Sequence, residues 1–264
     1  MVRAQADRAV RELARGQWQV HSVFSHAINL ANDCERRLLL LAPHQGRQVP
    51  GGILLAPSDF ARLRASWSVG QTAKLTDSGL HTDEGCVVFD TWYDSTYQPR
   101  AALVDRFNDL IDLGLLTTWP TFFHRPFNAL VTGALDQEIA ALQTEPGRGV
   151  AALIGRGLGL TPAGDDFLLG YWLVNQTPGP WATAFQAALL EKISSPSYTT
   201  TVSRNYLQWA LEGHFSGSLL ALTNWLAGGD GQLTERVHSV IDYGNTSGRD
   251  TLAGMVAGLM QQTG

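Results

Sequence analysis

Two stretches of this chain place glycine where a helix least tolerates it, and that sets the tightest limit on its fold. Gly164, Asp166, Leu168 and Gly170 recur as Gly248, Asp250, Leu252 and Gly254, the shared pattern being Gly-x-Asp-x-Leu-x-Gly. An Asp and a Gly four residues apart lie on one helix face. Asp166–Gly170 and Asp250–Gly254–Gly258 thus each set a carboxylate at the top of a glycine-lined stripe. Glycine inside a helix costs about 1 kcal/mol against alanine, so something must offset it. Close approach of another backbone is the simplest candidate. The expectation is two tightly crossed helices that bring Asp166 and Asp250 to one mouth. Of the 27 glycines, 11 fall within 147–170 and 244–258, so the excess marks these turns and helices rather than a loop-rich chain.

The approach to the first stripe is Gly155-Arg156-Gly157-Leu158-Gly159-Leu160-Thr161-Pro162-Ala163-Gly164-Asp165-Asp166. Glycines at alternate positions open the backbone of a loop. Thr161 suits a helix N-cap and Pro162 the first helical position. A glycine-rich entry to a helix N-terminus is an anion site. Asp165 and Asp166 in the first turn favour instead a bound cation, a proton acceptor, or hydrogen bonds to the loop itself. Before the second stripe, Ser247 and Asp250 have capping-box spacing, with Thr246, Gly248 and Arg249 around them. An Asp there also complements the helix dipole and serves as a cap. Between the two lie Thr199, Thr200, Thr201, Ser203 and Arg204. Hydroxyls and an Arg at a helix start hold phosphate or carboxylate; the alternative is an N-cap with a solvated face.

The rest of the sequence reads as two lobes. Short apolar runs bounded by Gly and Pro are strand signals. They occur at Gln17–Phe24, Ala27–Leu30, Arg37–Ala42, Ile53–Leu55 and Cys86–Asp90. One helix interrupts them, Asp59–Ala65 with Ser58 as its cap, and the charged start Met1–Arg15 reads as a short amphipathic helix. After Pro99 the apolar residues take helical spacing, at Ala101–Leu116, Asn128–Gln143, Gly164–Asn175, Trp181–Ile193, Thr199–Glu212, Ser218–Leu226, Thr234–Tyr243 and Ser247–Gln262. Strands followed by helices give an α+β fold: a β-rich N-terminal lobe over 1–98 and an all-helical lobe over 99–264 that carries the glycine and Asp motifs.

Several function classes fall away. A net charge of −5 argues against a nucleic-acid partner, which calls for a basic face. No apolar run reaches the ~18–20 residues that span a bilayer. The start lacks the apolar stretch of a secretory signal, so a reduced, cytoplasmic protein is expected, with Cys34 and Cys86 as buried small hydrophobes. His21, His26, His44, His81, His124, His214 and His238 show no metal-ligand spacing, so no metal set is expected from them. The lysines are Lys74 and Lys192, both outside every motif, which leaves anions to Arg, hydroxyls and backbone amides.

Gly157-Leu158-Gly159-Leu160-Thr161-Pro162-Ala163-Gly164-Asp165-Asp166, the segment from Asn245 to Asp250, and the Thr200–Ser203 cluster together resemble a bacterial family long classed as a domain of unknown function. One group of that family is similar to the AllH subunit of oxamate carbamoyltransferase, from anaerobic allantoin catabolism. The likeness spans nearly the whole chain, with weaker motifs in the first half. It implies the reaction of oxalurate with phosphate to give oxamate and carbamoyl phosphate. It also implies two partner subunits, one of them similar to acyl-CoA synthetase proteins. The Ser-Thr-Arg-Thr and His-Pro-x-Gln motifs of the well-known transcarbamoylases do not occur, so the resemblance implies a different fold from theirs.

With that chemistry in view, Asp165, Asp166 and Asp250 are the candidate catalytic residues. Gly157, Gly159, Thr161, Gly164, Thr200, Ser203, Arg204, Thr246, Ser247, Gly248 and Arg249 are the candidate ligands of substrate and phosphate. Two alternatives stay open: a stand-alone Mg²⁺-dependent hydrolase using the helix-terminal carboxylates, and a non-catalytic assembly subunit whose glycine-rich helices form an interface.

Overall fold

A computed structural model describes residues 1–32, 37–44, 47–83, 85–99, 106–112, 136–242, 244 and 246–263. Cys34, His124 and Asn245 lie outside these residues, as do parts of the helices expected over 101–116 and 128–143. The N-terminal part forms a β-barrel and helices follow it. The chain divides into two compact units, one of Met1–Thr96 with His214–Gly217 and one of Tyr97–Gly213 with Ser218–Gly264.

The first unit is a closed barrel of eight strands: β1 (Val2–Asp7), β2 (Gly16–Val23), β3 (Ile28–Ala31), β4 (Leu39–Pro43), β5 (Gly52–Leu55), β6 (Thr72–Leu75), β7 (Gly79–Thr82) and β8 (Gly85–Tyr93). Their order around the barrel is β1-β5-β4-β3-β2-β6-β7-β8. The β1–β8 and β4–β5 pairs are parallel, and the β2–β3 ladder shifts register between Val20 and Ser22. Helix α1 (Pro57–Ser66) buries Phe60; Pro57 occupies its first turn and no side chain caps it, so the expected Ser58 cap is not formed. Trp18, Ile28, Leu30, Leu39, Leu41, Ile53, Leu55 and Leu80 are buried here.

The charged start is not an α-helix. Val2, Ala4 and Ala6 alternate inward on β1, which closes the barrel between β5 and β8, and only Arg8–Glu12 turns as a short 3-10 helix. Barrel closure gives those small apolar residues a partner on each side, and this outweighs the local charge pattern. Strands β6 and β7 escape a sequence reading because each has only two buried residues. At Gly79, with φ at +158°, a Cβ would stand 2.1 Å from the Val87 carbonyl oxygen. Cys86 is half-buried rather than buried.

A buried polar cluster knots this unit. Ser95 Oγ donates to Asp7 Oδ2 at 2.6 Å and lies 2.9 Å from His214 Nδ1. The Gly51 amide donates to the same Asp7 oxygen at 2.9 Å. Asp7 is fully buried, and burial raises its pKa against the pull of these hydrogen bonds.

The second unit holds α2 (Phe107–Asp112), α3 (Asp136–Thr144), α4 (Pro146–Leu153), α5 (Ala163–Val174), α6 (Pro180–Ile193), α7 (Thr201–Leu211), α9 (Leu233–Ile241) and α10 (Ser247–Thr263), with α8 (Gly217–Leu226) beginning at the last residue of the inserted segment. The glycines of α4 mask it in the sequence; Pro146 starts it, and Gly149 lets it lie against Leu142, whose amide nitrogen a Cβ would meet at 2.5 Å. Helices α5 and α10 form the centre. A Cβ on Gly170 would stand 1.9 Å from Thr251 O, and one on Gly254 would stand 2.0 Å from Phe167 O. At Gly258 the obstacles are Asn175 Nδ2 at 2.4 Å and Val174 Cγ2 at 2.5 Å. The glycine stripes therefore face each other, backbone on backbone. Beyond the contact, Trp172 stacks on Phe185 at 5.4 Å and its indole donates to Ala210 O at 2.9 Å.

Candidate functional site

The loop from Gly155 to Pro162 joins α4 to α5. Gly155, Gly157 and Gly159 all have positive φ, at 69°, 124° and 93°, which glycine alone adopts without strain. At Gly155 there is no room either, since a Cβ would stand 1.8 Å from Tyr198 O. Among the described residues, the amides of Gly157, Leu158, Gly159, Leu160 and Thr161 donate no hydrogen bond. A run of unspent amides with glycines of left-handed φ is the raw material of an anion-binding nest. Leu158 is 95% exposed, so the loop is open.

The start of α5 departs from expectation. Its cap is Pro162 and not Thr161. From Gly164 onward its first-turn amides are already engaged: Gly164 donates to Arg156 O at 2.8 Å, and Asp165 and Asp166 donate to Pro162 O at 2.9 and 3.2 Å. The free donors are thus those of the loop. Gly164 has another task. Its missing Cβ admits the Leu153 carbonyl oxygen, which a side chain would meet at 1.9 Å. Gly248 plays the same part for Val240 O, also at 1.9 Å.

The neighbouring aspartates differ in kind. Asp165 Oδ1 accepts from the Gly155 amide at 2.6 Å. Its Oδ2 accepts from Ser203 Oγ at 2.5 Å and from the Thr199 hydroxyl. Burial raises the Asp165 pKa, while those three donors pull it down. Both oxygens are occupied, so Asp165 ties the loop to the start of α7. Thr200 caps α7 by accepting from the Ser203 amide at 3.0 Å, and its hydroxyl donates to Leu160 O. The Thr199–Ser203 hydroxyls hold the loop in place. Thr199 belongs to the hydroxyl cluster read from sequence as an anion site, and here its hydroxyl donates to Asp165.

Asp166 is 8% exposed, and its Oδ2 is buried with no hydrogen-bond partner among the described residues. Burial holds its pKa well above the usual carboxylate range; repulsion from Asp250 and Asp165 adds to this, and hydrogen bonds from Ser247 and Thr161 oppose it. Those two hydroxyls lie 2.7 Å apart. Helix α10 starts at Ser247 itself, which leaves Thr246 before the first turn, its carbonyl accepting from the Arg249 and Asp250 amides at 2.9 and 3.0 Å. Asp250 is buried in that turn. The tight crossing of α5 and α10 thus brings Asp166, Asp250, Thr161 and Ser247 into one corner.

Arg204 donates to Thr201 on its own helix at 3.3 Å, and Arg156 lies 3.9 Å from Glu138. Arg249 is half-buried in the first turn of α10. Among the described residues, no three His, Cys, Asp or Glu side chains converge as a metal-binding set. No helix among them is long and apolar enough to cross a membrane.

A barrel followed by helices, with a glycine-crossed pair that carries an open amide loop and a buried acid, defines the class: a two-unit α+β protein whose helical unit holds a buried polar corner. Residues 3–92 match the family model described as the AllH family N-terminal domain. Residues 153–259 match that of the oxamate carbamoyltransferase subunit AllH, a span that contains every candidate site residue. The chain belongs to the AllH family. No solved structure matches it.

Proposed function

We propose that this chain is a subunit of an oxamate carbamoyltransferase that converts oxalurate and phosphate to oxamate and carbamoyl phosphate. The single observation that carries the reading is the run of unbonded amides from Gly157 to Thr161, ending beside Asp166 and Ser247. The substrates are small anions, and the chain offers them amides and hydroxyls. Backbone N–H groups in a loop held by Asp165 bind negative charge without reorganising. The Thr161 and Ser247 hydroxyls, 2.7 Å apart, lie at the end of that loop and in this reading face the carbamoyl group. In this reading residues 99–264 carry the chemistry and residues 1–98 form a separate lobe. Two partner subunits, one similar to acyl-CoA synthetase proteins, complete the cytoplasmic enzyme.

The test is carbamoyl phosphate formation from oxalurate and phosphate, by the partner subunits with and without this chain. The reading expects formation only when the chain is present. Equal rates without it would remove the chain from the reaction.

A further inference from the structure

Asp166 is badly placed to touch a ligand and well placed to hold a proton. It is 8% exposed, with one oxygen buried and unpartnered among the described residues. Above it stand two hydroxyls 2.7 Å apart, from the loop and from the first residue of α10. Both hydroxyls act on the Asp166 carboxyl as hydrogen-bond partners, and both residues are half-buried, so neither is sealed in the core. The charged groups acting on Asp166 are Asp250 from α10 and Asp165 from its own helix, and both discourage ionisation.

Carbamoyl transfer needs such a store. Phosphate oxygen attacks the carbamoyl carbon, and a C–O bond forms. The bond from that carbon to the oxamate nitrogen breaks, its electron pair goes to nitrogen, and the nitrogen must take a proton. We infer that Thr161 and Ser247 form a two-hydroxyl relay that passes a proton from the Asp166 carboxyl to the departing oxamate nitrogen. The hydroxyl proton that hydrogen phosphate gives up as its oxygen is esterified returns to Asp166, so the step balances without another reactant. In the reverse direction Asp166 takes the proton. Asp165, with both oxygens committed, is a positioning residue.

The inference rests on the proposed carbamoyl transfer, and one experiment separates the two. The assembled enzyme is assayed across pH with the wild-type chain, Asp166→Asn, the Thr161→Val/Ser247→Ala double variant, and Thr161→Ser. In parallel, the carboxyl carbon of Asp166 is followed by NMR in the full-length chain, assigned by its loss in Asp166→Asn. The relay predicts a wild-type kcat that declines at alkaline pH. It predicts that Asp166→Asn and the double variant fall by about 10²–10⁴-fold, the usual scale of general acid catalysis, and lose that decline. Thr161→Ser keeps its hydroxyl and stays within a few-fold of wild type. The relay also requires the Asp166 carboxyl to titrate above the usual carboxylate range. An ionised Asp166 in an active enzyme overturns the relay alone. So does a double variant that keeps its rate, or a fall that leaves the alkaline decline in place. A protonated Asp166 in a chain that accelerates nothing overturns the carbamoyl-transfer reading, and with it the nitrogen as proton acceptor.

Discussion

Replacing Gly170 or Gly254 with alanine sets two effects of opposite sign against each other. Helix propensity alone favours alanine by about 1 kcal/mol. The geometry opposes it. The new Cβ on residue 170 would stand 1.9 Å from Thr251 O, and that on residue 254 would stand 2.0 Å from Phe167 O. Non-bonded heavy atoms settle at about 3.5 Å or more, so α5 and α10 must part by more than about 1 Å along their contact. The obstacle in each case is backbone, which cannot rotate aside. Overpacking of this kind costs typically about 1–3 kcal/mol. Parting the helices also loosens the packing along the rest of the crossing, which puts these sites at the upper end and leaves a net loss of roughly 1–2 kcal/mol for each variant. The two substitutions push on one interface, so the double variant should lose less than their sum. Gly147 in α4 is the control, since nothing lies within 4 Å of its would-be Cβ. Urea unfolding monitored by circular dichroism measures all three. Gly147→Ala should be neutral or stabilising by up to about 1 kcal/mol. If Gly170→Ala and Gly254→Ala also stabilise the chain, the stripes are not in contact and the paired-carboxylate corner loses its basis.

Asp165→Ala strips the acceptor from the Gly155 amide and from the Thr199 and Ser203 hydroxyls. Buried donors left unpaired cost about 1–3 kcal/mol each, so urea unfolding should show a loss of several kcal/mol. Asp166 has a raised pKa in the folded chain. Its contribution therefore favours folding below the unfolded carboxylate value near 3.9 and is lost as pH rises through the folded one. The stability of Asp166→Asn relative to wild type should accordingly grow with pH above about 4, by roughly 1.4 kcal/mol per unit of elevation; a difference that is flat in thermal melts across pH contradicts this. Ser95→Ala removes the hydroxyl between Asp7 and His214 and should cost about 1–3 kcal/mol in denaturant titrations.

The glycine stripes are legible in the sequence because a recurring Gly in an apolar helix has few explanations other than close packing. That is why the α5–α10 crossing, and the meeting of Asp166 with Asp250 near its top, follow from spacing alone. The separation of Asp165 from Asp166 does not follow. Adjacent residues on a helix point some 100° apart, and which one meets the Gly155 loop depends on where α7 lies. The Thr161 cap fails for a similar reason. Tertiary contact with α10 claims its hydroxyl, and helix α5 begins one residue later. In the barrel, runs such as Leu38–Leu41 and Ile53–Leu55 announce strands, whereas β1 depends on neighbours from both ends of the barrel. The Asp7–Ser95–His214 cluster joins residues 88 and 119 positions apart, and no local signal precedes it.

The most direct measurement of the central claim is a structure of the assembled enzyme with oxamate and phosphate bound. An anion is expected within hydrogen-bond reach of the Gly157–Thr161 amides, with the oxamate nitrogen facing the hydroxyls of Thr161 and Ser247. Ligands seated elsewhere, with that loop and the Asp166 corner untouched, would contradict it.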